Sequence, residues 1–483
     1  MPVHQLFLSM KQARLFGKWN RNKGMSTLEL LIAFAILTLA IAAVVLVIFG
    51  NQSLAIDTQT NIEALSRAQA GLESARAASR SDFASLQSAV ATNDDMYTKS
   101  ITVTDISLST KQVTSYVSWS EGGLVSYVTL STILTDWLNP ANKCNPIISG
   151  NWKKPQSLGY FDLPSIEDAT GVHVGGTKVY LTLNPSAPET DDFYIVDASD
   201  TSLKPMPEFS SFSTTYGLTD VVVSGLEAYV TADSQVAQVL VIDISDYTTL
   251  DPSKIEKKVD LTALGDSAVG KTLAYADERL YVGLTKSSGK EFRVLDVSTP
   301  SSPLEIGSGY EIGAAVNEIL IDNDIAYLAT ASSTPLIVLD ISGPVPTPID
   351  EYAPPLSVLF GQSLARNSDN TRLYFGRTGG NANPKLLAFD PADLSTPAWT
   401  MNMSKNSGVY TMTLRSNFLF MTTADPDDSL QIWDVSSPSS PPTRFDTDPL
   451  NIQQDSTAGA DCAGNLLYVG QHGQRVLQII GPS

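Results

Sequence analysis

The carboxylate of Glu29 has the most unusual setting in this sequence, because it directly precedes a long apolar run. No charged residue and no proline occurs from Leu30 to Phe49, and a helix of those 20 residues would be about 30 Å long. An unpaired carboxylate beside such a run is costly, so we expect Glu29 to have a dedicated partner. The spacing therefore predicts ion pairing at the end of an apolar helix.

A basic leader precedes this carboxylate. Residues 1–24 contain no Asp or Glu, and their basic residues are Lys11, Arg14, Lys18, Arg21 and Lys23. The stretch from Gly24 through Met25 to Glu29 resembles the processing site of type IV pilins and type II secretion pseudopilins. The resemblance implies cleavage between Gly24 and Met25 by a prepilin peptidase. It also implies filament assembly through Glu29, which would meet the new amino terminus of a neighbouring subunit. Met25 departs from the phenylalanine usual in that family.

Three other interpretations of this segment compete with the pilin-like one. An ordinary signal peptide, cleaved near Ala55, would have a shorter apolar region, since such regions run about 7–15 residues. A plain membrane anchor would need no partner for Glu29. A buried core helix fits poorly beside the flanking basic cluster. In each membrane-based interpretation the basic leader is predicted to lie on the cytoplasmic side.

The composition indicates an acidic chain of more than one domain. With 483 residues and a net charge of −20, the chain is too long for one ordinary domain and unsuited to binding nucleic acid. It contains two cysteines, Cys144 and Cys462. Outside the cell they could form one disulfide, or they could be two unrelated buried thiols.

Three segments are predicted between the leader and the main domain. Residues 25–80 have helical spacing of apolar residues and predict a stem helix, with a transmembrane half over 30–49. Residues 81–138 contain alternating stretches that predict a small antiparallel sheet, similar to a pilin head. Residues 139–150 are predicted to be a linker.

Residues 151–483 contain a sevenfold internal repeat. One element is an apolar strand that ends in Asp, and its last position recurs every 44–53 residues. Its copies end at Asp197, Asp243, Asp296, Asp340, Asp390, Asp434 and, where Asp is replaced, Gly481. A second strand precedes each copy and carries an aromatic residue: Tyr180, Tyr229, Tyr281, Tyr327, Tyr374, Phe420 and Tyr468. This period predicts a seven-bladed β-propeller.

The ends of the repeat region predict how the ring closes. The last repeat stops before its outer strand, and a matching strand, Pro155–Phe161, lies before the first repeat. Pairing the two would leave no long free edge. The repeat resembles the LVIVD-type propeller repeat of bacterial surface proteins. The recurring Asp is expected to accept backbone N–H bonds in a turn.

Several short patterns suggest chemistry that their context does not favour. Residues 265–272 match a phosphate-binding loop, but Lys271 begins a predicted strand and no helix follows. The acidic stretch Asp425–Asp428 lacks the spacing of a calcium loop. Three histidines, His4, His173 and His472, are too scattered for an ordinary zinc site. We therefore predict no catalytic, cofactor or metal site.

The sequence as a whole predicts an α+β pilin-like stem followed by an all-β seven-bladed propeller. The expected function is that of a non-enzymatic minor pilin or pseudopilin-like subunit that displays the propeller for adhesion, at the filament tip. Its expected partners are the prepilin peptidase, other pilin subunits, the inner membrane before assembly, and an unknown surface, glycan or protein ligand. Its expected location is single-pass in the membrane and then extracellular. The alternatives are a membrane-tethered extracellular scaffold and a displayed extracellular enzyme.

Overall fold

The computed structural model divides the chain into two compact units. It describes residues 27–81, 86–94, 96–107, 110–121, 123–135, 148–185, 187–262, 266–354, 359–367, 369–380, 384–448, 450–452 and 459–483. The predicted leader, Gly24, Met25 and Cys144 lie outside the described residues.

The first unit combines one helix with one sheet. Helix α1 covers Thr27–Ser81, in a segment that has neither glycine nor proline from residue 51 to 70. Four antiparallel strands pair in chain order: Ala89–Asp94, Tyr97–Ser107, Thr110–Glu121 and Leu124–Thr135. Small helix residues, Ala64 and Ala68, pack against the sheet at Val117 and Trp119. A Cβ at Gly71 would lie 2.7 Å from Ser115 Oγ, so the helix approaches the sheet closely there.

The predicted fold class, an α+β pilin-like stem followed by a propeller, is wrong for this chain. Among the described residues, α1 is joined by only two three-residue 3-10 helices, Pro252–Lys254 and Ser404–Asn406, and by 31 strands. The fold is therefore nearly all β, because paired strands satisfy the backbone hydrogen bonds of almost every element. A helix does occupy Thr27–Ser81, so the correction concerns the class of the fold.

The predicted single-pass location is also wrong. Crossing a bilayer takes about 20 mostly apolar residues. Within the part of the chain that the structure describes, no helix is long and apolar enough to do so. The described side chains between Leu31 and Val45 in α1 are nevertheless exposed, with Leu39 at 71%.

The second unit is a propeller of seven four-stranded antiparallel blades. Five blades are separate sheets, and a seven-stranded sheet contains the other two. Those two blades share the strand Pro155–Gly175. Its first part pairs with the last strand of the chain, Leu477 opposite Phe161, and its second part begins blade 1. The predicted ring closure is thereby confirmed, and it leaves no unpaired edge between blades 7 and 1.

From the central channel outward the strands of blades 1 to 6 follow chain order, and in blade 7 the outermost strand comes from the start of the propeller. The first strands are the second part of Pro155–Gly175, Leu218–Ser224, Gly270–Ala276, Val316–Asp322, Phe360–Arg366, Val409–Arg415 and Ala460–Ala463. The second strands are Lys178–Leu183, Glu227–Ala232, Arg279–Leu284, Ile325–Thr330, Leu373–Thr378, Phe418–Thr423 and Leu466–Gly470.

The outer half of each blade holds the repeat that ends in Asp. The third strands are Phe193–Asp197, Val239–Asp243, Phe292–Asp296, Leu336–Asp340, Leu386–Phe389, Leu430–Asp434 and His472–Pro482. The fourth strands are Glu208–Phe212, Ile255–Val259, Leu304–Glu305, Thr347–Tyr352, Trp399–Met401, Thr443–Arg444 and the first part of Pro155–Gly175.

Among the described residues, the hydrophobic core of the propeller is divided into seven clusters, each between two neighbouring blades. The cluster between blades 3 and 4, for example, joins Tyr281 and Val294 to Leu328. All seven repeated aromatic residues are buried. Both faces of a blade are covered by its neighbours, which explains why the second and third strands are continuous apolar runs rather than alternating ones.

Candidate functional site

A β-bulge interrupts the first strand of six blades at the same position. The pairing register between first and second strands shifts by one residue there, which leaves one residue of the first strand unpaired. These bulge residues are Thr170, Thr219, Lys271, Asn317, Gln362 and Tyr410, in blades 1 to 6. Bulges commonly reorient a side chain beside a binding site.

All six bulge residues line one cavity of about 360 Å³ in the central channel. The residues that follow four of the bulges line it as well: Asp220, Thr272, Glu318 and Thr411. The volume is that of a small-molecule site. The cavity lies where the first strands begin, and its wall is therefore mainly polar although the surrounding cores are apolar.

Three bulge side chains connect neighbouring blades. Thr170 Oγ1 donates to the Leu218 carbonyl at 2.8 Å, and Thr219 Oγ1 donates to the Gly270 carbonyl at 3.0 Å. Asn317 Nδ2 donates to the Gly361 carbonyl at 2.6 Å. Each bond satisfies a backbone carbonyl in the innermost strand of the neighbouring blade, so these three side chains have a structural role.

Two other bulge side chains lack such a role. Gln362 is only 8% exposed, and its amide makes no hydrogen bond within the described residues. Lys271 has no hydrogen bond or ion pair in the described part of the chain. Gln362 is one of the residues that line the cavity, so its unpaired amide is open to a ligand or to solvent there.

Two carboxyl groups directly follow the bulges of blades 2 and 4 and line the same cavity. Asp220 accepts hydrogen bonds from Thr272 Oγ1 and the Leu273 amide, both at 3.0 Å. Burial raises the pKa of Asp220 to about 6, although these bonds and the charge of Lys271 oppose the shift. Glu318 Oε2 accepts from the Leu364 amide at 2.7 Å, and no other hydrogen bond reaches this carboxyl from the described residues. Burial and, second, the charge of Asp220 raise the pKa of Glu318 to about 8.

The residues that the sequence predicted as sites lie elsewhere. Glu29 belongs to α1, but its side chain is outside what the structure describes, as are Gly24 and Met25. Cys462 is buried and disulfide-bonded. Because Cys144 is not among the described residues, its pairing with Cys462 stays a prediction.

The turn role predicted for the recurring Asp is confirmed in six blades. In each, Oδ1 accepts the backbone N–H two residues later, at 2.8–3.0 Å: Asp197, Asp243, Asp296, Asp340, Asp390 and Asp434. The hydrogen bonds of Ser298 lower the pKa of Asp296. These aspartates are therefore committed to strand ends.

The remaining motifs have structural explanations. Lys271 lies in a strand, Gly270–Ala276, and not at the start of a helix. In the acidic loop, Lys405 Nζ lies 2.8 Å from Asp425, and Arg444 lies 2.7 Å from Asp428. Within the described ranges, no three His, Cys, Asp or Glu residues come together as a metal site. His472 contacts Asp168 at the edge of the channel.

The ring of bulge residues was not predicted, although the sequence contains a signal for it. Five of the six residues lie ten positions before the repeated aromatic residue, and Gln362 lies twelve before Tyr374. A polar or large residue at that spacing in each repeat was the available evidence. A second cavity, of about 510 Å³, lies in the first unit between α1 and its sheet. Its wall is mostly apolar and includes several alanines, so it offers few polar groups to a ligand.

Comparisons with known proteins give one family match and several similar solved structures. The family described as "LVIVD repeat" matches residues 280–310 and 415–447, in blades 3 and 6. No curated protein matches the chain. Among solved structures, BamB from Moraxella catarrhalis is similar at 12% identity and TM-score 0.42, over 70% of this chain and 91% of that one. Hsv2 from Kluyvelomyces marxianus is similar at 10% identity and TM-score 0.38, over 71% and 90%. The blades show that the chain contains a β-propeller, and two of them match the LVIVD repeat, whereas the pilin resemblance finds no support.

Proposed function

We propose that this chain is a non-enzymatic binding protein whose propeller recognises a small polar ligand, or a polar group of a larger one, at the channel cavity. The observation that carries the proposal is the amide of Gln362, which has no hydrogen bond within the described residues and lies in a cavity lined by bulge residues from six blades. Most side-chain amides in a protein interior are hydrogen-bonded, so an amide left free toward a cavity of this size is available to a ligand.

The neighbouring groups support recognition rather than chemistry. Lys271, Glu318 and Gln362 come from three consecutive blades and offer a charge, a carboxyl group and an amide. A nucleophile activated by a base would need two such side chains hydrogen-bonded to each other. The described contacts of these three residues include no such pair. A rigid ring that presents polar groups to one cavity is an arrangement suited to binding.

The test is a binding screen with a channel-blocking variant. The full chain is mixed with a panel of small sugars, amino acids, amines and carboxylates, and binding is detected by saturation-transfer NMR. Gln362→Trp would fill the cavity, while Lys257→Gln changes an exposed residue of an outer strand. We expect at least one compound to bind the wild type and Lys257→Gln but not Gln362→Trp. Equal binding to all three proteins, or no binding at all, would overturn the proposal.

A further inference from the structure

Three residues that line the channel cavity each have an oxygen atom with unused hydrogen-bonding capacity. Asn317 Nδ2 is used by the Gly361 carbonyl, which leaves Asn317 Oδ1 as an acceptor without a bond from the described residues. Glu318 uses Oε2 for the Leu364 amide and leaves Oε1. Gln362 adds its amide oxygen from the next blade. Three acceptors match the three donors of a primary ammonium group.

The charges around Glu318 also favour a cation. The titratable and charged groups that line the cavity with it are Asp168, Asp220, Lys271 and Tyr410. Asp168 contacts His472, and the charge of Lys271 acts on Asp220. On the strands packed against that of Glu318, Arg366 is paired with Asp322 at 2.5 Å, and Arg279 donates to the Ile341 carbonyl. Within the described residues, no cation therefore pairs with Glu318.

We infer that the channel cavity binds the primary ammonium group of a polar ligand through the oxygen atoms of Asn317, Glu318 and Gln362, an inference that rests on the proposed function. The bound ammonium would supply the positive charge that Glu318 lacks. Lys271, the lysine of the cavity lining, acts on Asp220, whereas Glu318 has no cation paired with it among the described residues. The net charge of −20 also concentrates cations near the surface and disfavours anions.

Binding of the cation is linked to loss of a proton. Because the pKa of Glu318 is about 8, its carboxyl group is mainly protonated at pH 7. An ammonium ligand stabilises the carboxylate, so Glu318 releases its proton to solvent when the ligand binds. No covalent bond forms or breaks in the ligand. Affinity should therefore rise with pH, by about fivefold between pH 7 and pH 8.

Three probes of one size test the charge preference. They are 3-amino-1,2-propanediol, glycerol and glycerate, which differ only in carrying an ammonium, a hydroxyl or a carboxylate group. Binding to the full chain is measured by saturation-transfer NMR at pH 7 and pH 8. We expect the amine to bind at least tenfold more tightly than the other two and to gain affinity at pH 8.

Variants assign the effect to Glu318. Glu318→Gln keeps an acceptor for the Leu364 amide but cannot be charged, so it should lose at least tenfold in amine affinity and all pH dependence. Gln362→Leu removes one acceptor and should weaken amine binding while keeping the pH dependence, which provides a second readout if Glu318→Gln does not fold. Glu311→Gln, an exposed carboxyl in the same part of the chain, should bind as the wild type does.

The outcomes separate the two proposals. Tighter binding of glycerol or glycerate, still abolished by Gln362→Trp, would overturn the ammonium inference and leave the channel as a binding site. Amine binding that survives Gln362→Trp would overturn both. A peptide with one central lysine and blocked ends identifies the source of the group. If it binds as the small amine does, the ligand is a protein side chain, and if only the small amine binds, the ligand is a free metabolite.

Discussion

The protonated state of Glu318 has a consequence for stability that can be measured without any ligand. Its pKa is raised to about 8 in the folded protein from 4.5 in a free side chain. Between pH 4.5 and about pH 8, Glu318 therefore keeps a proton in the folded state that it has released in the unfolded state. Folding is favoured by low pH in that window, and stability falls as the pH rises from about 4.5 to about 8.

The size of the effect follows from the shift. One pKa unit corresponds to ~1.4 kcal/mol, so Glu318 should reduce the free energy of unfolding by about 3 kcal/mol between pH 5 and pH 8. Glu318→Gln removes this contribution and keeps the hydrogen bond from the Leu364 amide. Asp220 shifts in the same direction, but mainly below pH 6, and it is present in both proteins.

The assay is urea unfolding of the wild type, Glu318→Gln and Glu311→Gln at pH 5, 6, 7 and 8. We expect the unfolding free energies of the wild type and Glu311→Gln to fall in parallel, and that of Glu318→Gln to fall by about 3 kcal/mol less. Glu318→Gln should therefore gain stability relative to the wild type at pH 8. The reasoning is refuted if all three proteins show the same pH dependence, because Glu318 would then have an ordinary pKa.

Four other predictions test the propeller itself. Leu328→Ala opens a cavity in the core between blades 3 and 4 and should lower the unfolding free energy by about 2–5 kcal/mol in urea titrations. Gly159→Ala would place a Cβ 2.4 Å from the Thr201 carbonyl and disturb the strand that pairs with the last strand of the chain, so the amides of 477–480 should exchange faster with deuterium. The control Gly343→Ala adds a Cβ in open space and should leave this exchange unchanged. Asp340→Ala should lower the melting temperature more than Asp340→Asn, because asparagine keeps an acceptor for the Ser342 amide. The hydrogen bonds of Ser342 lower the pKa of Asp340, so its contribution to the stability of the folded state should be lost as the pH falls. Peptide mapping without reductant should recover Cys144 linked to Cys462, and Cys462→Ser should cost about 2–5 kcal/mol; two unlinked peptides would contradict this.

The propeller was predictable because its signals are repeated and local. An apolar strand ending in Asp has one low-energy continuation, the turn that Asp340 forms with the Ser342 amide, and the sequence repeats it six times. The buried aromatic residues, such as Tyr327, mark the adjacent strand. Closure through Pro155–Phe161 followed from counting strands in the last repeat. Each inference drew on several copies of the same pattern.

The pilin-like prediction had no such repetition. It depended on one short stretch around Gly24 and Glu29 and on one apolar run. A helix in that region is compatible with many folds, because helical spacing reports an element and not its surroundings. The strand patterns in the rest of the sequence are independent of the amino-terminal segment, so they could not correct the pilin-like interpretation of it.

The channel site was missed for a different physical reason. A bulge is a property of pairing between two strands, and a single sequence shows neither the register nor the shift. Gln362 in isolation looks like a polar residue on the solvent face of a strand. Only the pairing of Gly361 with Arg377 and of Ser363 with Gly376 shows that the residue between them is left out of the ladder and lines the channel.

The distribution of hydrogen bonds around the ring separates structure from recognition. At Thr170, Thr219 and Asn317 the bulge side chain replaces a lost ladder bond with a bond to the next blade. At Gln362 the bulge has no such compensation among the described residues, and the amide is left free toward the cavity. Sites that depart from the pattern followed by the rest of a fold are often functional, and Gln362 departs from the pattern of bulge side chains that bond to the next blade. The departure lies next to Glu318, the acid without a counter-charge, which is why we place recognition in this part of the channel.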